Sequence, residues 1–316
     1  MAHMELIRGL ANLRPRHQGS VVTLGTFDGI HPGHQALIQR LLEHGERLSR
    51  PAMMLTFEPM PREYLAAANP PARLTSWRER WRALQKTGLS FVLQLRFGEN
   101  LRCLSGDEFA GLLARNVKTP AVVVGHDFRF GRKGEATGPM LSNAGQRLGF
   151  SVDVVPPVLI DGERVSSSLI REALERGDLE AARHWLGRPY SMIGRVVRGQ
   201  QLGRELGYPT ANLRLGRKRS ALKGIFAVRV HGIERPGVPG KCCLPGVASL
   251  GTRPTVGGTV PVLEAHVFDF AGDLYGREIE VEFVAKLREE ECFANLDALV
   301  KQMNIDAAQA RGILGV

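Results

Sequence analysis

Two histidines stand three residues apart in GTFDGIHPGHQAL, Gly25 to Leu37, with glycines, Asp28 and Pro32 around them and an apolar-periodic run behind. Three readings fit His31 and His34: they bind a metal, hold nucleotide phosphates, or are incidental. A metal site needs a third ligand, and nothing close in sequence offers one cleanly. A phosphate needs donors at a helix N-terminus, where unpaired N–H groups and the helix dipole attract anions. Imidazoles there would also stabilise charge that builds on the phosphate during transfer. SSSLIREAL, Ser166 to Leu174, is a second element of this kind. Ser166, Ser167 and Ser168 bring hydroxyls to the start of a predicted helix, and Arg171 brings a guanidinium. Taken alone, the serines need do no more than cap that helix.

A third group lies in the second half of the chain. GRVVRGQQLGRELGYPTANL, Gly194 to Leu213, carries Gly199, Gly203 and Gly207, where a backbone can approach phosphates closely. Thr210 and Asn212 add a hydroxyl and an amide oxygen, hard ligands suited to Mg²⁺. Glu264, in VLEAHVFDF, sits among apolar neighbours in a strand-like run. It is either a general base or a residue that points outward, as alternate strand residues do. Two further loops, TFEPMP and GHDFRFG, place Phe57 and Phe128 where they could wall a planar apolar ligand, with Asp127 facing a ribose or base. The alternative is a strand end and an ordinary loop with core phenylalanines.

The elements that must position these residues follow two grammars. Residues 19 to about 186 alternate apolar runs with amphipathic patterns: SVVTLG, AMMLTF, FVLQLRF, AVVVG and SVDVVPPV read as strands, with helical patterns between them. That order predicts a parallel sheet covered by helices. Ligands of such sheets sit at the carboxyl ends of the strands, where GTFDG and GHDFRFG both fall. From about residue 190, SMIGRVVRG, GIFAVRVHGI, GVASLG, PVLEAHVFDF and REIEVEFVAKL read as short strands, and only the tail is helical. A small antiparallel barrel is predicted there. The joint falls near GDLEAARHWLGRPYS. Neither a P-loop nor a protein-kinase motif set is present.

Bulk properties narrow the class. The 316 residues suit two domains, and 43% hydrophobic with 23% charged residues is the mix of a folded soluble protein. The net charge of +10 favours anionic partners. Its basic residues are spread out and aromatics make up only 6%, which favours phosphorylated small molecules over nucleic acid. No apolar run could span a bilayer and no signal peptide pattern opens the chain, so the cytoplasm is expected, with no membrane partner. MAHM reads as an expression remnant ahead of Met4. The four cysteines form no CxxC pair, so neither a zinc site nor a disulfide framework is indicated.

GTFDGIHPGHQ, TFEPMP, RLT, VGHDFRFGRKG and SSSLIR, in this order, resemble the adenylyltransferase module of the bacterial bifunctional riboflavin kinase/FAD synthetase family. HPGH is similar to the HxGH signature of nucleotidyltransferases. Class I aminoacyl-tRNA synthetases carry a related motif, but no KMSKS sequence follows here. GRVVRGQQLGRELGYPTAN, LKGIFAV, GVASLGTRPT and LEAHVFDFAGDLYGREIEVEFVAKLREE resemble the riboflavin kinase module of the same family. The resemblance runs from about Leu6 to the end. Its departures are Pro32 inside HPGH, and Ser249-Leu250 where Asn-Ile is common.

The resemblance implies a Rossmann-like nucleotidyltransferase domain with a parallel sheet over residues 4–186. It implies a six-stranded antiparallel β-barrel with a C-terminal helix over 187–316. The implied reactions are phosphorylation of riboflavin to FMN by Mg·ATP, then adenylylation of FMN to FAD with release of pyrophosphate. For the second reaction it implies ATP contacts from Gly25, Phe27, Asp28, His31, His34, Asp127, Ser166, Ser167, Ser168 and Arg171. His31, His34 and Arg171 are the catalytic members, and Phe57, Pro59 and Phe128 face the flavin. For the first reaction, Gly199, Gly203, Gly207, Pro209, Thr210 and Asn212 would hold ATP, Thr210 and Asn212 its Mg²⁺, and Glu264 would be the base. Arg277 and Arg288 are either flavin or phosphate contacts or plain surface arginines. The implied partners are ATP, riboflavin and FMN, without nucleic acid or membrane; the oligomeric state is left open, with a transient homo-oligomer among the expectations.

Overall fold

The computed structural model describes residues 4–199, 207–234, 240–255 and 258–316. Of the residues named above, Gly203 lies outside them. The chain divides into two compact units, one of residues up to 71 with 80–166, the other of 72–79 with 167–316.

The first unit holds strands β1 (Glu5–Arg8), β2 (Val21–Leu24), β3 (Ala52–Glu58), β4 (Phe91–Arg96), β5 (Ala121–Gly125), the two-residue pair β6 (Arg129–Phe130) and β7 (Ala136–Thr137), and β8 (Ser151–Val155). A short hairpin, β9 (Leu159–Ile160) and β10 (Glu163–Arg164), follows. Six strands form one parallel sheet in the order β1-β4-β3-β2-β5-β8. Parallel neighbours need crossovers, and helices α1 (Pro32–Leu48), α2 (Pro61–Leu65), α3 (Trp77–Leu84), α4 (Glu99–Arg102), α5 (Gly106–Leu112) and α6 (Gly138–Leu148) lie in these connections. Val21, Val22, Val122 and Val123 are completely buried, as unbroken apolar strands require when both faces are covered. From β2 the chain lays β3 and β4 on one side, then β5 and β8 on the other. Sheets of this class bind ligands outside the carboxyl ends of the strands at such a reversal, which here falls between β2 and β5. Edge strand β1, unread in the sequence, pairs with β4; its four residues are too few for a period.

The second unit holds helices α7 (Ser167–Glu175) and α8 (Leu179–Leu186), then strands β11 (Ser191–Val197), β12 (Ala211–Arg214), β13 (Gly224–Glu234), β14 (Lys241–Thr255), β15 (Gly258–Val267) and β16 (Glu278–Arg288), and helix α9 (Leu296–Leu314). The six strands close into an antiparallel barrel, ordered β11-β12-β15-β14-β13-β16, with β16 paired back to β11. Closure pairs each described strand of the barrel on both sides. Met192, Phe226, Val228, Leu263 and Phe283 share its core, and α7 and α8 join through Ile170, Leu174 and Leu186. On the opposite face of β13, Ala227 packs with Phe268 and with Ala307 and Ala310 of α9. Asn295 caps α9, its side-chain oxygen accepting the Ala298 N–H at 2.9 Å. Of the six strands, β12 escapes a sequence reading: four residues after Pro-Thr are too short and too polar to show alternation. Among the described residues no helix is long and apolar enough to cross a membrane.

Candidate active sites

The segment after β2 is built around a run of unusual backbone. Phe27, Gly29 and Ile30 have φ of 50°, 93° and 46°. Left-handed conformation at two non-glycine residues stores strain, which persists only where surroundings impose it. Phe27, Asp28, Ile30 and His31 are all buried. Gly25 leaves room for the Phe27 ring, since a Cβ there would meet it at 3.1 Å. His31 is the extended N-cap of α1 and Pro32 its first residue, the position where a missing N–H costs nothing. The backbone N–H groups of His34 and Gln35 already donate to the His31 carbonyl, at 2.8 and 3.0 Å.

The rings of His31 and His34 stack, with centroids 3.7 Å apart and planes 24° from parallel. Phe27 tilts against His34 at 5.1 Å. Imidazole lone pairs lie in the ring plane, so near-parallel stacked rings aim them side by side rather than onto one ion. Among the described residues no group of three or more His, Cys, Asp or Glu side chains is placed to hold a metal. Two imidazole edges at a helix N-terminus suit a phosphate chain better. Gly33 makes the stack possible, because a Cβ there would sit 3.1 Å from His31 Cε1 and 3.2 Å from its Nδ1. On the resemblance above, Gly33→Ala should tilt the His31 ring and lower the implied adenylyl transfer roughly tenfold, with the barrel's implied kinase activity unchanged. The check is FAD formation from added FMN beside FMN formation from riboflavin.

Arg80, on α3, braces the strained segment and is missed by sequence reasoning. Its side chain is completely buried. Nη1 donates to the carbonyl of Thr26 at the head of the strained segment, and Nη2 lies 3.7 Å from Glu58 at the end of β3. One guanidinium thus ties together the loops carrying GTFDG and TFEP. Arg80→Met would take this donor from the Thr26 carbonyl, at a cost of about 1–3 kcal/mol. A fall of several degrees in the denaturation midpoint, with loss of adenylyl transfer, is the expected result. Unchanged values for both would exclude the tie.

The other predicted residues of this reaction are placed as follows. Asp127 is exposed and pairs with Arg164 of β10 at 3.0 Å. Phe57 and Phe128 are half-buried on the same core, Phe57 edge-on to Phe97 at 6.0 Å and Phe128 stacked on Phe130 at 5.4 Å. Pro59 is half-buried beyond β3. Ser166 and Ser167 are half-buried and Ser168 exposed at the start of α7. Arg171 belongs to the second unit, where its Nε donates to the Ala72 carbonyl at 2.7 Å.

In the barrel, Asn212 of β12 faces Glu264 of β15 in register. Opposite residues of an antiparallel pair share a face. Leu263, Ala265 and Val267 fill the core, so Glu264 and His266 point away from it. That outer face is the wall of a cavity of about 420 Å³, lined by Thr210, Ser249, Glu264, His266, Arg288 and Glu290 among others, with Met303 and Asp306 of α9. Its size is that of a small-molecule site. Glu264 Oε1 pairs with Arg253. Asn212 is buried, and Gly199 lies so close to it that a Cβ would stand 2.6 Å from its amide. Gly207 is left-handed, with φ of 81°. Arg288 donates to both oxygens of Asp306, Nε to Oδ1 at 2.9 Å and to Oδ2 at 3.1 Å, and Nη2 to Oδ2 at 2.7 Å. Those bonds hold its guanidinium above the usual arginine range and fasten α9 to the cavity rim. Arg277 pairs with Glu234 at 3.0 Å and is not among the lining residues.

The FAD synthetase family model matches residues 13–169, and the riboflavin kinase model residues 186–314. A bifunctional riboflavin kinase/FMN adenylyltransferase of Escherichia coli K12 is 43% identical over 316 residues, covering 99% of each chain. One from Pseudomonas fluorescens is 44% identical over 312 residues, 98% of each. Among solved structures, a Streptococcus pneumoniae chain described as a macrolide-efflux protein superposes with a TM-score of 0.78 at 30% identity, over 98% of both chains.

Proposed function

The chain belongs to the family of bifunctional riboflavin kinases/FMN adenylyltransferases, and on that premise we propose how its residues divide the two reactions. The protein is a riboflavin kinase and an FMN adenylyltransferase, and both reactions consume ATP. Residues 4–186 are assigned to adenylyl transfer and 187–316 to the kinase. Its substrates are ATP, riboflavin and FMN rather than nucleic acid or a membrane surface, and its compartment is the cytoplasm.

In adenylyl transfer the FMN phosphate attacks the α-phosphorus of ATP and pyrophosphate leaves. The acceptor is its own nucleophile, so the protein has to hold a triphosphate and stabilise the charge that builds on it. His31 and His34 donate to the α- and β-phosphates at the mouth of α1. Gly25, Phe27 and Asp28 shape the seat beside them. Asp127, the Ser166–Ser168 turn and Arg171 supply further contacts to the nucleotide, and Phe57, Pro59 and Phe128 face the flavin.

In the kinase reaction Glu264 takes the proton of the ribityl hydroxyl as that oxygen attacks the γ-phosphorus of ATP, the bond to the β,γ-bridging oxygen breaks and ADP leaves. Positioning and charge neutralisation carry most of the rate in such transfers. Thr210 lines the cavity with Glu264, and Asn212 stands opposite Glu264 in register; their hard oxygens fit Mg²⁺ that arrives on ATP phosphates. When bound, Mg²⁺ would neutralise charge on those phosphates. Gly199, Gly207 and Pro209 shape the approach, Arg288 closes the cavity wall, and Arg277 is kept as a more distant candidate for flavin contact.

What supports this reading is a stacked histidine pair at a helix mouth in one unit and a walled cavity with Thr210 and Glu264 in the other. The test is incubation with riboflavin, ATP and Mg²⁺, with flavins separated over time. FMN should appear first and FAD after it. Riboflavin left untouched while added FMN becomes FAD would overturn the kinase assignment.

A further inference from the structure

Thr210 stands where regular pairing stops. The ladder between β12 and β15 runs Leu213↔Leu263, Asn212↔Glu264, Ala211↔Ala265, and ends there. The next position on β15 is His266, opposite Thr210 by register. In place of a further rung, the imidazole bonds across: His266 Nδ1 lies 2.9 Å from the carbonyl oxygen of Pro209. A carbonyl only accepts, so Nδ1 carries the proton and donates. Proline has no N–H of its own to anchor this segment. The same ring packs edge-on against Tyr208 at 5.0 Å and Phe268 at 5.8 Å, and the Tyr208 hydroxyl donates to Asn304 of α9. His266 also lines the cavity beside Glu264 and Thr210.

We propose that His266 is a positioning residue of the kinase reaction, its Nδ1–H fixing the Pro209–Thr210 peptide and so the Thr210 hydroxyl that meets Mg·ATP. The inference rests on the assignment of Thr210 and Asn212 to Mg·ATP. It differs from a general packing role because one atom carries it. Asparagine places an amide N–H where Nδ1–H stands, whereas glutamine places its amide further out, nearer the position of Nε2.

The test measures the KM for Mg·ATP and kcat of riboflavin phosphorylation in His266→Ala, His266→Asn, His266→Gln and Thr210→Ala, with FMN adenylylation in the same preparations as control. His266→Ala should raise the KM for Mg·ATP about fivefold to tenfold, the effect of one ordinary hydrogen bond, with a smaller fall in kcat. His266→Asn should return KM to within about twofold of the native value, and His266→Gln should not. Adenylylation should be unchanged throughout. An equal loss in the asparagine and glutamine variants would overturn the proposal in favour of packing, as would an unchanged KM in His266→Ala while Thr210→Ala is impaired. An unaffected Thr210→Ala would instead remove the assignment beneath it.

Discussion

His31→Ala should lower FMN adenylylation about 10²- to 10³-fold, the range seen when a preorganised donor to a developing anion is removed. His31 caps α1, is buried, and lies against His34. Alanine removes a donor and one face of the stack, so His34 also loses the surface that orients it. The seat would keep its helix N-terminus, which supports binding of the triphosphate better than its transfer. The loss should therefore fall mainly on kcat, with KM for ATP changing less. Riboflavin phosphorylation in the same sample should stay within about twofold, because the kinase residues lie in the other unit. A variant that still turns FMN into FAD at near the native rate would return the histidines to an incidental role.

Glu264→Gln is the counterpart in the barrel. Glutamine keeps the size and an acceptor for Arg253 but cannot take a proton at neutral pH. Phosphorylation of riboflavin should fall about 10²-fold, the lower end of general-base contributions, since positioning carries much of such a transfer. FMN adenylylation should persist. Folding damage is a weak alternative here, because Glu264 projects from the barrel's outer face and its strand neighbours Leu263 and Ala265 fill the core. Comparable losses in both activities would point to such damage and against the base assignment.

How far these sites could be read in the sequence depends on how local their causes are. HPGH was legible because its geometry is local: a strand ends, a strained turn follows, and proline starts a helix. The parallel sheet was legible from unbroken apolar strands such as VVTL, whereas β1 (ELIR) and β12 (ANLR), equally short but broken by polar or charged residues, were not. Arg80 was illegible for a different reason. SWRERWRAL is one of the helical patterns between strands, and only the fold brings Thr26, 54 residues earlier, against its guanidinium. Glu264 shows how a local rule can be correct and incomplete. Alternation does point it away from the barrel core, but it cannot report that α9 and the segment after β16 wall that outer face. Arg277 and Arg288 looked alike in sequence. Asp306 draws Arg288 into the cavity wall, while Glu234 holds Arg277 elsewhere on the barrel.

The most direct measurement mixes the two variants. His31→Ala and Glu264→Gln are each supplied with riboflavin, ATP and Mg²⁺, alone and together, and flavins are separated over time. Alone, His31→Ala should stop at FMN and Glu264→Gln should leave riboflavin largely unchanged. Together they should make FAD, since one variant supplies the FMN that the other adenylylates. A mixture that accumulates FMN without FAD, or a His31→Ala protein that has lost both activities, would contradict two separable sites in this chain.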